Sequence, residues 1–319
     1  MTSSKPSPKR SPAGRPFASL LRRMEGVTVA LFTPLGRDGN VDIPGLERLV
    51  GRALAGGASC LFPLGWAGEG PLLPDRVRER MMRETCRLAA GKVPIMIGIS
   101  EQSLPRALEL AETARSAGAQ LVLSTPPYSY PVPQRLVYEY FRELAGRSEM
   151  PLVLYQNDEV GVRVEHDTLM RLSEVPGIVG VKAFVNFVQL DRSFRRAHSP
   201  GRFAVMSGDE YLFAPALLMG IRHFTMGGPG NLCPRWCTDM YQAALRNDWQ
   251  TVAQKQRRLA EFCDALYIGT DSAYAAVKFA LQCLGICSAR ITPPHRVLPR
   301  PQQKQVERAL RDYSDVVVG

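Results

Sequence analysis

Residues 177–184 read Gly-Ile-Val-Gly-Val-Lys-Ala-Phe, an almost wholly apolar run that contains one lysine, Lys182. Seven further apolar runs, rich in Val, Ile and Leu, lie on either side of it, at 27–32, 59–64, 94–99, 120–124, 151–155, 202–207 and 222–226. A run that is continuously rather than alternately apolar is typical of a strand buried on both faces, as in a parallel sheet. The sequence therefore predicts eight parallel strands.

Stretches with a helical spacing of apolar residues separate these strands, at 44–56, 74–90, 104–117, 134–147, 166–174, 187–197 and 209–219. This regular alternation predicts an α/β fold, and specifically a (β/α)₈ TIM barrel. A doubly wound open sheet is the alternative, but that fold usually carries a glycine fingerprint after its first strand. Here the first strand ends in Thr33-Pro34-Leu35-Gly36, which favours the barrel.

Three regions are expected along the chain. Residues 1–25 are predicted to be a disordered basic tail, because they begin with a stretch rich in Ser, Pro, Lys and Arg. Residues 26–232 form the predicted barrel. Residues 233–319 keep a helical spacing without a convincing strand, so we expect a C-terminal helical extension.

Charge and hydropathy exclude two classes of partner. Most of the net charge of +10 comes from the two ends of the chain. Residues 1–25 contain six basic residues and one acidic residue, and residues 289–319 contain six basic and three acidic residues. A near-neutral body argues against a groove that follows nucleic-acid phosphates. No apolar stretch approaches the roughly 18 residues of a membrane helix, so we expect a soluble chain with no membrane partner.

The cysteines and histidines indicate neither disulfides nor a metal site. The seven cysteines show no CxxC spacing, and no signal peptide precedes them, which favours reduced thiols in a cytoplasmic protein. The four histidines are scattered and form no cluster with ligand spacing. We therefore expect no metal.

Lys182 is the residue whose position is hardest to explain without chemistry. Burial in an apolar strand disfavours its charged form and lowers its pKa. A neutral amine is a nucleophile toward carbonyl groups. The alternative is a lysine that reaches solvent at the strand exit. Lys278 is a second lysine in an apolar context, but its helical spacing would let its amine extend to water.

In a barrel, the carboxyl ends of the strands line the active site. Polar or glycine-rich residues stand at several of these ends. The second strand ends in Gly65-Trp66-Ala67-Gly68-Glu69, the fourth in a turn closed by Tyr128, the fifth in Tyr155 and the seventh in Ser207-Gly208-Asp209. A glycine-flanked turn offers backbone N–H groups to an anion, and tyrosines offer phenolic protons beside an amine.

Several motifs in this order resemble the dihydrodipicolinate synthase / N-acetylneuraminate lyase family, over about residues 26–298. They are GVTVALFTPLGRDGNVD, LGWAGEGPLL, VPIMIGIS, LSTPPYSYP, PLVLYQN, GIVGVKAF, MSGDEYLFAPALLMG and VKFALQCLG. The resemblance implies a barrel with a C-terminal helical extension, usually assembled as a homotetramer. We accordingly expect a homo-oligomer, a dimer or a tetramer, that binds a small-molecule 2-keto acid.

The resemblance also assigns roles. It implies a Schiff-base lysine at Lys182, a proton relay through Tyr155, and a contribution to that relay from Tyr128, often across a subunit interface. It implies that the turn from Gly65 to Glu69 binds the carboxylate of the keto acid. The expected substrate-binding residues are Gly65, Trp66, Ala67, Gly68, Ser207, Gly208, Asp209 and Gly227.

Two departures from the family pattern bear on the substrate. The usual second-strand turn reads GTTGE, whereas Trp66 and Ala67 replace its two hydroxyls here. The synthases also have an arginine after the tyrosine of the fifth strand, where this chain has Asp158 and Glu159; Arg163 lies nearby. These departures favour a keto-deoxy sugar acid dehydratase or aldolase.

Three other functions stay open or are set aside. The alternatives are a dihydrodipicolinate (4-hydroxy-tetrahydrodipicolinate) synthase and a catalytically degenerate keto-acid-binding homologue. A pyridoxal-phosphate barrel also forms a Schiff base, but it needs a lysine near its first strand, and residues 26–36 contain none. We therefore expect no cofactor.

Overall fold

The computed structural model describes residues 17–157 and 161–318. Eight parallel strands form its sheet: β1 Gly26–Val29, β2 Cys60–Leu61, β3 Met96–Gly98, β4 Leu121–Ser124, β5 Leu152–Asn157, β6 Ile178–Phe184, β7 Ala204–Ser207 and β8 His223–Met226. Their order is β2-β1-β8-β7-β6-β5-β4-β3. A parallel bridge between Leu61 and Ile95 brings β2 next to β3 and closes the ring. The predicted (β/α)₈ barrel is confirmed.

Helices surround the barrel between successive strands. They are α2 Ile43–Ala55, α3 Asp75–Ala89, α4 Leu104–Ser116, α5 Gln134–Arg147, α6 His166–Ser173, α7 Phe187–Ala197 and α8 Phe213–Leu218. Local sequence fixes where some of them begin. The side chains of Asp42 and Asn186 accept hydrogen bonds from Gly45 N and Gln189 N, which caps the first turns of α2 and α7.

The interior of the barrel is packed by alternate residues of the strands. This inner cluster includes Ala30, Cys60, Phe62, Met96, Leu121, Leu123, Val153, Tyr155, Val179, Ala204 and Met206. The intervening strand residues face the helices and join a larger outer cluster. Burial on both faces explains why the strands read as continuous apolar runs.

A short helix closes the amino-terminal end of the barrel. This helix, α1, spans Ala18–Arg23, and Leu21 and Met24 are buried in the inner cluster. His223 Nε2 lies 3.0 Å from the carbonyl oxygen of Leu21 and fastens the helix to β8. The predicted disordered tail therefore does not extend through residues 17–25, while residues 1–16 lie outside the described part of the chain.

The chain after β8 is helical, as expected. It comprises α9 Gly228–Leu232, α10 Pro234–Leu245, α11 Trp249–Tyr267, α12 Ala273–Cys283, α13 Arg300–Asp312 and α14 Ser314–Val318. These helices share the outer cluster with the barrel, so the boundary at residue 232 marks a change of element type within one core. No helix in the described residues has the length and apolar character needed to cross a membrane.

Candidate active site

A cavity of about 740 Å³ opens where the strands end at their carboxyl termini. Seven of the predicted residues line it: Trp66, Ala67, Tyr155, Lys182, Gly208, Asp209 and Gly227. Residues of the C-terminal helices, among them Tyr267, Tyr274 and Val277, also face it. Within the described part of the chain, its charged lining residues are Lys182, Asp209 and Glu210. The cavity therefore holds one amine facing two carboxyl groups.

Lys182 lies inside the barrel mouth. Its side chain is 7% exposed, so it does not extend to solvent. Its Nζ lies 3.7 Å from the centroid of the Tyr155 ring and 5.9 Å from that of Phe62. Burial lowers the pKa of Lys182 to about 7, and the charge of Glu210 opposes that shift only in part. An amine with this pKa is largely neutral near physiological pH and can attack a carbonyl carbon.

Tyr155 is placed beside the lysine by strand register. Residue 155 of β5 pairs with residue 182 of β6, and both side chains reach the same end of the barrel. Tyr155 is 5% exposed, and its hydroxyl accepts a hydrogen bond from Asn157 Nδ2 at 3.3 Å. A phenol held next to an amine can carry protons to and from a reacting carbonyl.

The turn after β2 is held in a tight, defined shape. Glu69 has a positive φ of 60°, and its N–H donates to the carbonyl of Trp66 at 3.0 Å. A Cβ on Gly68 would lie 2.8 Å from the carbonyl oxygen of Leu31, so only glycine fits there. Thr33 Oγ1 donates to the carbonyl of Gly68 at 2.6 Å and fixes that peptide.

The turn carries two consecutive backbone N–H groups that have no backbone acceptor in the described part of the chain. Ala67 lines the cavity, whereas Gly65 and Gly68 shape the turn without lining it. Among the described residues, no backbone carbonyl accepts a hydrogen bond from the N–H of Ala67 or Gly68. Two such donors side by side suit a carboxylate.

Tyr128 lies behind Trp66, so it is not among the lining residues. The two rings meet edge to face, with centroids 5.5 Å apart and an interplanar angle of 73°. Gln102 Oε1 accepts hydrogen bonds from the N–H groups of Tyr128 and Ser129 at 3.1 and 2.8 Å. Trp66 Nε1 is buried and has no hydrogen-bond partner among the described residues.

The segment after β7 forms an acidic wall of the cavity. A Cβ on Gly208 would lie 3.1 Å from Lys182 Cε, so glycine makes room for the lysine side chain. Asp209 accepts a hydrogen bond from the N–H of Tyr211 at 2.8 Å. Burial raises the pKa of both Asp209 and Glu210. Ser207 is fully buried below this wall, and its hydroxyl does not line the cavity.

The model of the dihydrodipicolinate synthetase family matches residues 23–313. The chain belongs to this family. The chain is similar to the 4-hydroxy-tetrahydrodipicolinate synthase of Phenylobacterium zucineum. The two are 33% identical over 288 residues, which cover 90% of this chain and 96% of that protein. The synthase of Acidovorax sp. is 32% identical over 290 residues, with 90% and 96% of the two chains covered.

Solved structures agree with the family in fold. The dihydrodipicolinate synthase of Bacteroides thetaiotaomicron has a TM-score of 0.85 and 30% identity, and the match covers 91% of this chain and 98% of that one. The enzyme of Acinetobacter baumannii, whose structure was solved with pyruvate, has a TM-score of 0.84 and 27% identity, with 91% and 99% covered. The chain is a lyase of this family, and the resemblance inferred from sequence is confirmed.

No arginine lines the cavity among the residues that the structure describes, although the synthase pattern has one. Arg163 is exposed and is not among the lining residues, and its carbonyl accepts a hydrogen bond from Gln134 Nε2 at 2.7 Å. Asp158 and Glu159 lie outside the described residues. No group of three or more His, Cys, Asp or Glu side chains gathers into a metal site within the described ranges.

Sequence reasoning missed several residues of the site, among them Glu210, Tyr267 and Tyr274. Glu210 directly follows the predicted Ser207–Asp209 segment, and its position after a strand end was a usable signal. Tyr267 and Tyr274 come from α11 and α12, and nothing in their local sequence points to the barrel mouth. Lys278 also differs from expectation, because its amine does not extend to water: the residue is fully buried.

Proposed function

We propose that this family member is a Schiff-base-forming lyase that acts on a 2-keto acid through Lys182, and that its substrate is a keto-deoxy sugar acid. The observation that carries the proposal is the buried Lys182 amine, with a pKa near 7, against Tyr155 in a cavity that Asp209 and Glu210 also line. Carboxylate binding at the Ala67–Gly68 turn orients the keto group toward that amine.

The proposed chemistry begins with attack of neutral Lys182 on the C2 carbonyl. The resulting carbinolamine loses water to give a protonated imine, which withdraws electrons from C3. In a dehydratase, loss of a proton from C3 gives an enamine, which expels the C4 hydroxyl as water once that hydroxyl is protonated. In an aldolase, loss of the C4 hydroxyl proton breaks the C3–C4 bond, which releases an aldehyde and leaves an enamine that is protonated at C3 to return the imine. Tyr155 moves protons in these steps, and hydrolysis of the imine restores the amine.

The acidic wall after β7 supports a hydroxyl-rich substrate. Asp209 and Glu210 can accept hydrogen bonds from hydroxyl groups, and Tyr211, Tyr267 and Tyr274 add phenolic or aromatic contacts around them. A second substrate carboxylate beside this wall would face two carboxyl groups, and no arginine among the described lining residues would compensate, which is unfavourable in a poorly solvated site.

A 4-hydroxy-tetrahydrodipicolinate synthase is the second candidate. The names of the relatives at about 30% identity favour it over a sugar-acid enzyme. Trp66, Ala67 and the position of Arg163 speak against it, because the hydroxyl pair and the arginine of the synthase pattern are replaced. A degenerate keto-acid binder is the third candidate, and a buried lysine beside a tyrosine is more than simple binding requires.

Three further properties belong to the same proposal. We expect a homo-oligomer, a dimer or a tetramer, in the cytoplasm, with no cofactor or metal in the reaction. Among the described residues, Tyr128 packs against Trp66, which lines the cavity, so a contribution from Tyr128 would act through that ring or at a subunit contact.

The test is a substrate panel with the purified chain and Lys182→Met as control. Keto-deoxy sugar acids of four to six carbons are incubated with each, and products are read by mass spectrometry. Release of pyruvate indicates an aldolase, and a product lighter by one water indicates a dehydratase. Turnover of pyruvate with the aldehyde substrate of the synthases, and of no sugar acid, would replace the proposal with the second candidate. Binding without turnover would leave the degenerate homologue.

A further inference from the structure

Lys278 of α12 forms a buried ion pair beneath the turn that follows β2. Lys278 is fully buried and Glu69 is 2% exposed, and Lys278 Nζ lies 3.0 Å from Glu69 Oε1. The amine also donates hydrogen bonds to the carbonyl oxygens of Thr33 and Arg290, the second at 2.9 Å. Burying two charges is costly unless their partners are well placed. Through these contacts the ion pair connects the segment after β1, the turn after β2 and the C-terminal region.

The partner of this lysine belongs to the turn itself. Glu69 Oε2 accepts a hydrogen bond from the N–H of Thr292 at 2.6 Å, so both carboxylate oxygens have a partner from the C-terminal region. Thr33 accepts from Lys278 through its carbonyl and donates from its hydroxyl to the carbonyl of Gly68. The peptide between Gly68 and Glu69 is therefore held from the side away from the cavity.

The opposite side of the same turn faces the cavity. Ala67 lines the cavity, and its N–H and that of Gly68 donate to no backbone carbonyl in the described ranges. These N–H groups are rigidly linked to the Gly68–Glu69 peptide, since the turn spans only a few residues. A shift of Glu69 would therefore move the two donors relative to Lys182.

We propose that the Lys278–Glu69 pair is a positioning device, by which the C-terminal helix α12 sets the place of the carboxylate-binding turn and so the affinity for the keto acid. This inference rests on the proposed function, because it assumes that the turn receives a carboxylate. The pair touches no substrate, and its effect passes through the backbone of residues 67–69.

A purely structural role makes a different prediction. If the pair only stabilised the fold, removing one charge would lower stability, and removing both would restore much of it and leave binding unchanged. If the pair positions the turn, the neutral double variant Glu69→Gln/Lys278→Met recovers stability but still binds the keto acid weakly. Stability and affinity separate in this variant.

The experiment measures trapping of pyruvate by borohydride as a function of pyruvate concentration. The half-saturating concentration is compared for wild type, Glu69→Gln, Lys278→Met and the double variant, alongside thermal unfolding of each. Arg52→Met is the matched control, because Arg52 also ties the barrel to the C-terminal helices, through the carbonyls of Leu232 and Val317, without touching the turn.

We expect the half-saturating concentration to rise at least tenfold in the single and double variants, with trapping at saturation within about threefold of wild type. Arg52→Met should lose thermal stability and keep wild-type affinity. Unchanged half-saturation in the variants, or an equal rise in Arg52→Met, would overturn the inference. If a single variant does not fold, the double variant decides by the same criteria. Absence of trapping in wild type would refute the proposed function instead, which keeps the two failures distinct.

Discussion

The pH dependence of imine formation should report the unusual basicity of Lys182. The perturbation is pH itself, varied from 5 to 9 at a pyruvate concentration well below saturation. Because the folded protein holds the pKa of Lys182 near 7, the neutral amine should reach half of its maximum near neutral pH. Below pH 7 the initial rate should fall about tenfold per pH unit, and above pH 8 it should level off.

The magnitude follows from the burial of the amine. A solvent-exposed lysine with its ordinary pKa of 10.5 would have about one neutral amine in 3,000 at pH 7, whereas Lys182 has about one in two. The charge of Glu210 favours the charged form and limits the lowering of the pKa of Lys182. The predicted rate advantage over an exposed lysine at pH 7 is therefore on the order of 10³-fold.

The assay is trapping with cyanoborohydride, followed by intact-mass spectrometry at short times. Tyr155→Phe is the matched variant, because phenylalanine keeps the ring beside Nζ and removes only the hydroxyl. It should slow trapping while leaving the midpoint within about one pH unit. A wild-type midpoint above pH 9 would refute the reasoning, since it would mean that burial does not keep the amine neutral.

Three further predictions follow from individual contacts. Tyr155→Phe should lower kcat about 100-fold and Tyr128→Phe less than tenfold, because of these two tyrosines Tyr155 lines the cavity and Tyr128 does not. Near-wild-type rates in both variants would contradict the proposed proton relay. Burial lowers the pKa of His223 to about 4, so the folded state binds fewer protons than the unfolded one between pH 6.5 and 4. In urea unfolding, the free energy of unfolding should therefore fall by about 3 kcal/mol as the pH drops through that range. His223→Gln should make the free energy of unfolding depend less steeply on pH, and an equally steep dependence in the variant would contradict this explanation. Gly208→Ala should slow pyruvate trapping several-fold without changing the circular dichroism spectrum, because the added Cβ meets Lys182 Cε at 3.1 Å; a wild-type trapping rate would show that the lysine has room.

The barrel, and the position of Lys182 in its mouth, could be predicted because the relevant signals are local. Each strand is a short apolar run, and β6 and β5 place Lys182 and Tyr155 at equivalent ends by parallel register alone. The rule that parallel strands converge at their carboxyl ends then brings these residues together without any knowledge of long-range contacts.

The remaining features depend on contacts between distant parts of the chain. Residues 18–23 form a helix whose Leu21 is buried at the end of the barrel. The composition of this basic segment does not predict the helix, because a single buried apolar residue changes the composition very little. Lys278 was expected at the surface, since its helical spacing cannot reveal that Glu69, far away in sequence, neutralises it. Tyr267 lines the cavity because α11 packs against the barrel, and no local sequence pattern predicts that position.

The central claim is that Lys182 forms a Schiff base with a 2-keto acid. The most direct measurement is intact-mass spectrometry after borohydride treatment with pyruvate, followed by peptide mapping. We expect one reduced pyruvate per chain, attached to Lys182 and absent in Lys182→Ala. No adduct with pyruvate or with larger 2-keto acids, in a folded protein, would contradict it and leave a keto-acid binder without covalent chemistry.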